Sequence, residues 1–179
     1  MNITQQDLNL AVREWYDPLF RFALSLCRQH DRALDLTQNA FHKLAQNREK
    51  VRDPKKIKSW LFSVLYREHV DQYRRNVRYP SQSLEDSPEL RGTSGHGGEL
   101  SHDARVLMEK LGELDEIFRA PLTLFYLEQL SYKEIAAVLD IPIGTVMSRL
   151  RRAKDQLRER MEQVSQPAII PFTQEVRHG

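Results

Sequence analysis

The sequence predicts an all-α protein of two small helical domains joined by a flexible linker, the C-terminal one containing a helix-turn-helix. Three observations carry that prediction. Apolar residues recur at the 3.6-residue helical period towards both ends of the 179-residue chain. A stretch rich in glycine, serine and proline separates the two periodic parts. Between residues 131 and 161 a capped helix, a tight turn and a second helix with a basic outer face follow one another.

Thr4 is placed to cap a first helix, with Asp7 as the acidic partner of a capping box. Leu8, Val12, Trp15, Leu19, Phe22 and Leu26 then line one face. Asp17-Pro18 predicts a restart or a kink, because aspartate caps and proline suits a first helical turn. A second helix follows Asp31, with Leu34, Phe41 and Leu44 on one side. A third opens at Asp53-Pro54 and runs to about Arg75, with Ile57, Trp60, Leu61, Val64 and Leu65 inward. These helices make a first domain over residues 1–78.

Residues 79–100 carry two prolines, four glycines and five serines or threonines, and they predict a linker. Its flexible end-to-end distance is about 26 Å, with a stretched ceiling near about 75 Å. The second domain covers residues 101–163. Ser101 caps a helix to about Leu114, the next spans about Glu116 to Gln129, and the helix-turn-helix follows. Residues 164–179 hold two prolines and no periodicity, and they read as a tail.

Composition excludes several classes. With 40% hydrophobic and 29% charged residues the chain is globular, and no apolar run approaches a bilayer span, so no membrane insertion is expected. The start, MNITQQDLNL, lacks the basic and apolar segments of a secretion signal. One cysteine, Cys27, makes no internal disulfide and fits a reducing, cytoplasmic setting. Seven glycines leave no phosphate cradle. His96, Glu99 and His102 imitate a metal-ligand spacing, but they fall in the glycine-serine stretch, with no helix to fix them and no fourth ligand. His30, His42, His69 and His178 are scattered with no nucleophile beside them. Neither catalysis nor a cofactor is expected.

The net charge of +2 hides a pattern. Residues 42–79 hold 11 basic and 4 acidic side chains, and residues 144–160 hold 6 and 2. Residues 80–120 between them hold 4 basic and 9 acidic. Two basic islands suggest two polyanion contacts, although a solvated helix face also reads as basic.

The second island belongs to the helix-turn-helix. Ser131 and Glu134 form a strict capping box, and Asp140 to Gly144 breaks the helix they open. The next helix presents Val146, Leu150, Ala153 and Leu157 inward. Ser148, Arg151, Arg152 and Asp155 stand opposite, flanked by Met147 and Arg149. Side chains in the first turns of such a helix reach base edges, and the arginine fork suits guanine.

The first island holds the third helix. Phe62, Tyr66, His69 and Tyr73 form a second stripe along it, and Lys55, Lys58, Arg67, Arg74 and Arg75 flank it. Rings among cations capture single strands by stacking bases while the charges follow the backbone. A helix packed on both sides of a three-helix core gives the same pattern. The preceding loop, NREKVRDPKKIK, has six basic residues and is the stronger strand contact.

These segments carry a resemblance. Residues 114–159, with SYKEIA, IPIGTV and SRLRRAK, resemble the fourth conserved region of extracytoplasmic-function sigma factors. ALDLTQNAF, residues 33–41, resembles that family's polymerase-binding segment. SWLFSVLYREHVDQYRR, residues 59–75, resembles its promoter-melting and minus-ten-reading helix. The resemblance covers about residues 8–160.

It implies a bacterial alternative sigma factor that joins core RNA polymerase, at the beta-prime clamp and the beta flap, and directs initiation at particular promoters. An anti-sigma factor is an implied partner. The implied polymerase contacts are Asp35, Leu36, Gln38, Asn39 and Phe41. Leu36 and Phe41 also fit a core role, and the family usually has an acid where Asn39 stands. The implied minus-ten contacts are Arg52, Lys55, Lys56, Lys58, Tyr66, Arg67, Arg74 and Arg75. A loop near the first of these pockets a flipped base in the family, and Arg67 replaces a base-reading asparagine. The implied minus-35 contacts are Thr145, Met147, Ser148, Arg149, Arg151, Arg152 and Lys154. The competing reading is a dimeric operator-binding regulator, which would bind a palindrome. Such a regulator has no use for the basic island at 42–79.

Overall fold

The computed structural model describes residues 3–49, 51, 53–78 and 109–165. Its helices are α1 (Gln5–Cys27), α2 (His30–Gln46), α3 (Ile57–Arg78), α4 (Glu116–Tyr126), α5 (Tyr132–Leu139) and α6 (Ile143–Ser165). A 3-10 turn at Pro54–Lys56 precedes α3 and a helical turn at 109–112 precedes α4. No strand occurs among the described residues, so the fold is all-α, in two helical regions. The linker at 79–100, the Ser101 cap and the tail from residue 166 lie outside the described residues. Residues 164 and 165, expected in the tail, are the end of α6.

Local chemistry starts α1. The Thr4 N–H donates to Asp7 Oδ2 at 2.8 Å, and the Asp7 N–H donates to Thr4 Oγ1 at 3.2 Å. Ile3 before the cap and Leu8 beyond it are both buried, as in a hydrophobic staple. The restart expected at Asp17-Pro18 does not occur, and α1 runs through Pro18 as one helix. Proline in a helix interior costs about 3 kcal/mol. Buried Leu19, Phe22 and Leu26 each contribute about 1.5–3 kcal/mol on the same helix, which outweighs it. The inward row also differs by one residue. Ala11 is buried and Val12 is exposed, because Ala11 continues the row from Leu8 at i+3 spacing.

Arg28 closes α1 in the left-handed region (φ 58°), its N–H bonded to the Leu24 carbonyl at 2.9 Å, and the chain turns at once into α2. The buried face of α2 is Ala33, Leu36, Thr37, Ala40 and Leu44, while Leu34 and Phe41 are half-buried. The expectation missed this rotation because it counted only large apolar residues. Small Ala33 and Ala40, and a Thr37 hydroxyl that donates to the Ala33 carbonyl at 2.7 Å, fill that buried face instead.

Asp53 caps the 3-10 turn through Oδ1, which accepts the Lys55 N–H at 3.0 Å. Helix α3 buries Ile57, Leu61, Phe62, Ser63, Leu65 and His69. Trp60 and Val64, expected inward, are only half-buried. Phe62 meets Phe22 of α1 with ring centroids 5.4 Å apart, which accounts for its inward turn.

In the second region α4 ends at Tyr126, three residues before the expected Gln129. The Glu128 and Leu130 N–H groups bond back to the Thr123 and Leu124 carbonyls, with Gln129 left-handed (φ 53°) between them. The Ser131–Glu134 box opens α5, with the Ser131 N–H and Oγ donating to Glu134 Oε2 at 2.8 and 2.6 Å. Asp140, at φ 53°, ends α5, and the Thr145 and Val146 N–H groups bond to the Pro142 carbonyl as α6 begins. Val146, Leu150 and Ala153 are buried, and Leu157 half-buried.

The two regions pack together, α4 against α1 and α5 against α3. Their buried apolar residues form one continuous core.

Candidate nucleic-acid interface

The first turns of α6 present an open, basic surface. Met147, Ser148, Arg151, Arg152 and Lys154 are exposed, while Thr145 and Arg149 are half-buried. The Ser148 hydroxyl donates to the Thr145 carbonyl at 3.0 Å. Burial of Val146, Leu150 and Ala153 on the opposite side fixes the rotation of the helix, so the arginines point away from the core. The Ser131–Glu134 box fixes the start of the supporting helix, and its bonds hold the Glu134 carboxyl below the usual carboxylate range.

The α3 surface is more divided. Lys55, Lys56, Arg67, Arg74 and Arg75 are exposed, but Arg67 Nε donates to its own Ser63 carbonyl at 3.2 Å. Arg75 reaches the Asp71 carbonyl at 3.3 Å and Glu68 Oε1 at 3.4 Å. Arg52 lies outside the described residues. Lys58 is half-buried, with Nζ 4.7 Å above the Trp15 ring and bonded to the backbone carbonyl of Glu128. Tyr66 is half-buried, and that burial pushes its phenol up, with Glu116 adding and Arg149 and Arg74 opposing.

The second stripe therefore splits. Phe62 and His69 are buried and serve the core, and Tyr73 stands exposed beside exposed Val77. Sequence reading passed over Val77 and Arg78, which continue the exposed end of α3. A single aliphatic residue among cations gives no periodic signal.

On α2, Asp35, Gln38 and Asn39 are exposed and share a face at i, i+3 and i+4. Phe41 is half-buried and stacked on Tyr16, with centroids 6.2 Å apart. Leu36 takes the core role of the two that the sequence left open. It is 0% exposed, so it supports the face from beneath and offers no surface to a partner.

Among the described residues no cluster of His, Cys, Asp or Glu could hold a metal, and no helix is long and apolar enough to cross a membrane. The His96, Glu99 and His102 set lies outside those residues.

Two family models match the chain, Sigma-70 region 2 over residues 11–79 and Sigma-70, region 4 over residues 104–157. These two regions, on this all-helical fold, define a sigma-70-type subunit of transcription initiation. The RNA polymerase sigma factor SigV of Bacillus subtilis (strain 168) is 31% identical over 155 residues, covering 87% of this chain and 91% of SigV. The ECF RNA polymerase sigma factor SigE of Mycolicibacterium smegmatis is 33% identical over 153 residues, 83% of this chain. The match spans 59% of the length of that longer relative.

Among solved structures, the sigma factor RpoE in complex with the anti-sigma factor NepR from Bartonella quintana aligns with a TM-score of 0.69 at 27% identity, covering 88% of this chain and 98% of RpoE. CnrH in complex with the cytosolic domain of CnrY aligns with a TM-score of 0.64 at 21% identity, covering 90% and 92%. The chain belongs to the extracytoplasmic-function sigma factors, alternative sigma factors that direct transcription initiation.

Proposed function

We propose that this chain acts in the cytoplasm as a non-catalytic specificity subunit and divides its work among three faces. Asp35, Gln38 and Asn39 of α2 meet the beta-prime clamp of core RNA polymerase, with Phe41 at the margin. Lys55, Lys56, Lys58, Tyr66, Arg67, Arg74 and Arg75, with Arg52 in the adjoining loop, engage the minus-ten strand. Thr145, Met147, Ser148, Arg149, Arg151, Arg152 and Lys154 read minus-35 duplex, and the same region meets the beta flap.

The observation that carries this reading is the exposed basic start of α6 in the same chain as a second basic helix, α3. A dimeric regulator has a use for the first and none for the second. Residues 1–78 and 101–163 are the working domains. An anti-sigma factor is the natural regulator, since RpoE was solved with one bound.

Run-off transcription with purified bacterial core polymerase, on promoters drawn from the chain's own genome, tests this. Transcripts that require the chain are expected. Their absence, together with a footprint on palindromic DNA without polymerase, would establish the dimeric regulator instead.

A further inference from the structure

The outer face of α6 carries two kinds of side chain that do not belong together on a merely solvated helix. Ile143 is 50% exposed and Met147 is 54% exposed, one turn apart at i and i+4. Arg151 continues the same row one turn further, and Arg152 and Lys154 stand exposed beside it. None of these three cations makes an ion pair among the described residues.

The row is held outward from behind. Val146, Leu150 and Ala153 are buried, and the Thr145 and Val146 N–H groups bond to the Pro142 carbonyl, so Met147 cannot turn into the core. Of residues 143–148, the exposed ones are Ile143, Gly144, Met147 and Ser148. The Ser148 hydroxyl is turned back onto the Thr145 carbonyl at 3.0 Å. Gly144 has nothing within 4 Å of the place a Cβ would take. The two apolar side chains are therefore what projects from the opening turns of the helix, over ground left clear for an approaching body.

A lone exposed aliphatic residue is ordinary on a protein surface. A pair of them heading a row of unpaired cations fits a polyanion that has apolar points on it. An apolar protein surface would cover Ile143 and Met147 but strip water from the neighbouring guanidinium groups without replacing it. Duplex DNA meets both needs. Phosphates supply the charge, and the floor of the major groove offers one apolar group, the 5-methyl of thymine.

We infer that Met147, backed by Ile143, reads a thymine methyl group in the minus-35 duplex, which makes an A·T pair there a requirement of this chain's promoters. The inference names a base that the function proposed above leaves open, and it rests on that function. Met147 and Arg151 are four residues apart, about 6 Å along the axis or roughly two base-pair steps. The thymine lies within about that distance of the base or phosphate that Arg151 holds.

Deoxyuridine tests this, because it differs from thymidine by the methyl group alone. Holoenzyme assembled from core polymerase and the full chain is titrated with a promoter found by run-off transcription. Each minus-35 thymine, on either strand, is replaced in turn. One replacement should weaken binding about four-fold, the cost of losing one buried methyl group. Holoenzyme carrying Met147→Ala should bind the native and that substituted duplex equally, and Met147→Leu, which stays apolar, should keep the difference. A minus-35 element with no A·T pair, or one indifferent to every replacement, overturns the inference. So does a uracil effect that survives in Met147→Ala, which would give the methyl group to another side chain. Weaker binding of Met147→Ala to all duplexes alike, with no uracil effect in the native chain, overturns it too and sets the apolar pair against polymerase. Absence of run-off transcripts would count against the proposed function instead. The same replacements are then made in the palindromic footprint, where the same outcomes decide.

Discussion

Lys43 Nζ lies 2.5 Å from Glu68 Oε2, an ion pair that ties α2 to α3 beneath the two basic and polar faces of the first region. The Lys43 hydrogen bond holds the Glu68 carboxyl below the usual carboxylate range, with burial opposing it. An acid with a depressed folded pKa contributes stability above its unfolded value, and that contribution is lost as pH falls through the folded value.

Lys43 is substantially exposed and Glu68 mostly covered, so the pair contributes about 0.5–1 kcal/mol. Glu68→Gln should melt about 1–4 °C below the native chain at neutral pH. The gap should close as the pH falls through the lowered folded value of Glu68, where the native side chain takes up its proton too. Equal melting temperatures at neutral pH would remove the pair from the account of stability.

The Ser131–Glu134 box sets where α5 begins and therefore how α6 is presented. Ser131→Ala removes one half of the reciprocal bonding and should cost about 1 kcal/mol, seen as a melting temperature lower by about 2–4 °C. Glu134→Gln should cost less, because glutamine also closes a capping box. A larger loss in Glu134→Gln than in Ser131→Ala would place the stabilisation in the carboxylate charge.

How much of this was legible in sequence depended on the range of the interaction. The caps at Thr4, Asp53 and Ser131 act within two or three residues, and each was readable from residue type and spacing. Helix rotation was less legible. Ala11 and Ala33 carry little apolar signal, yet they are buried where Val12 is exposed and Leu34 half-buried. The contact between the two regions was invisible. Nothing local in the sequence marks Arg119 or Glu128 as buried, and residues far away in the chain take part in holding them: the Leu26 carbonyl accepts from Arg119, and Lys58 donates to the Glu128 backbone carbonyl. Of the site, the exposed start of α6 followed from its buried stripe, whereas the half-burial of Lys58 and Tyr66 did not follow from anything local.

Arg151 and Arg152 are adjacent and exposed, so they point about 100° apart and need not do the same work. Whichever makes a bidentate base contact should lose about 1–3 kcal/mol of minus-35 duplex binding on change to alanine, with no loss on scrambled duplex. A phosphate contact would weaken both duplexes alike and flatten the salt dependence. Equal affinity of both variants and the native chain for the minus-35 duplex would exclude these arginines from recognition.

Asp35 is exposed on α2 while Leu36 beside it is fully buried, so charge on this face can be reversed without disturbing the core. Asp35→Arg should abolish co-purification with core polymerase and leave far-ultraviolet circular dichroism unchanged. Unchanged co-purification would take Asp35 out of the clamp contact and shift the burden to Gln38 and Asn39.

Glu128 gives the folded chain a pH dependence with a definite sign. Burial pushes its carboxyl up, against the opposing charges of Lys58 and Arg21. A raised acid contributes stability fully below its unfolded pKa, and that contribution is lost as pH rises through the raised value. Glu128→Gln removes the charge that burial disfavours, so it should melt above the native chain at neutral pH, with the gap narrowing in mild acid. An unaltered melting temperature at neutral pH would assign the titration to another buried group.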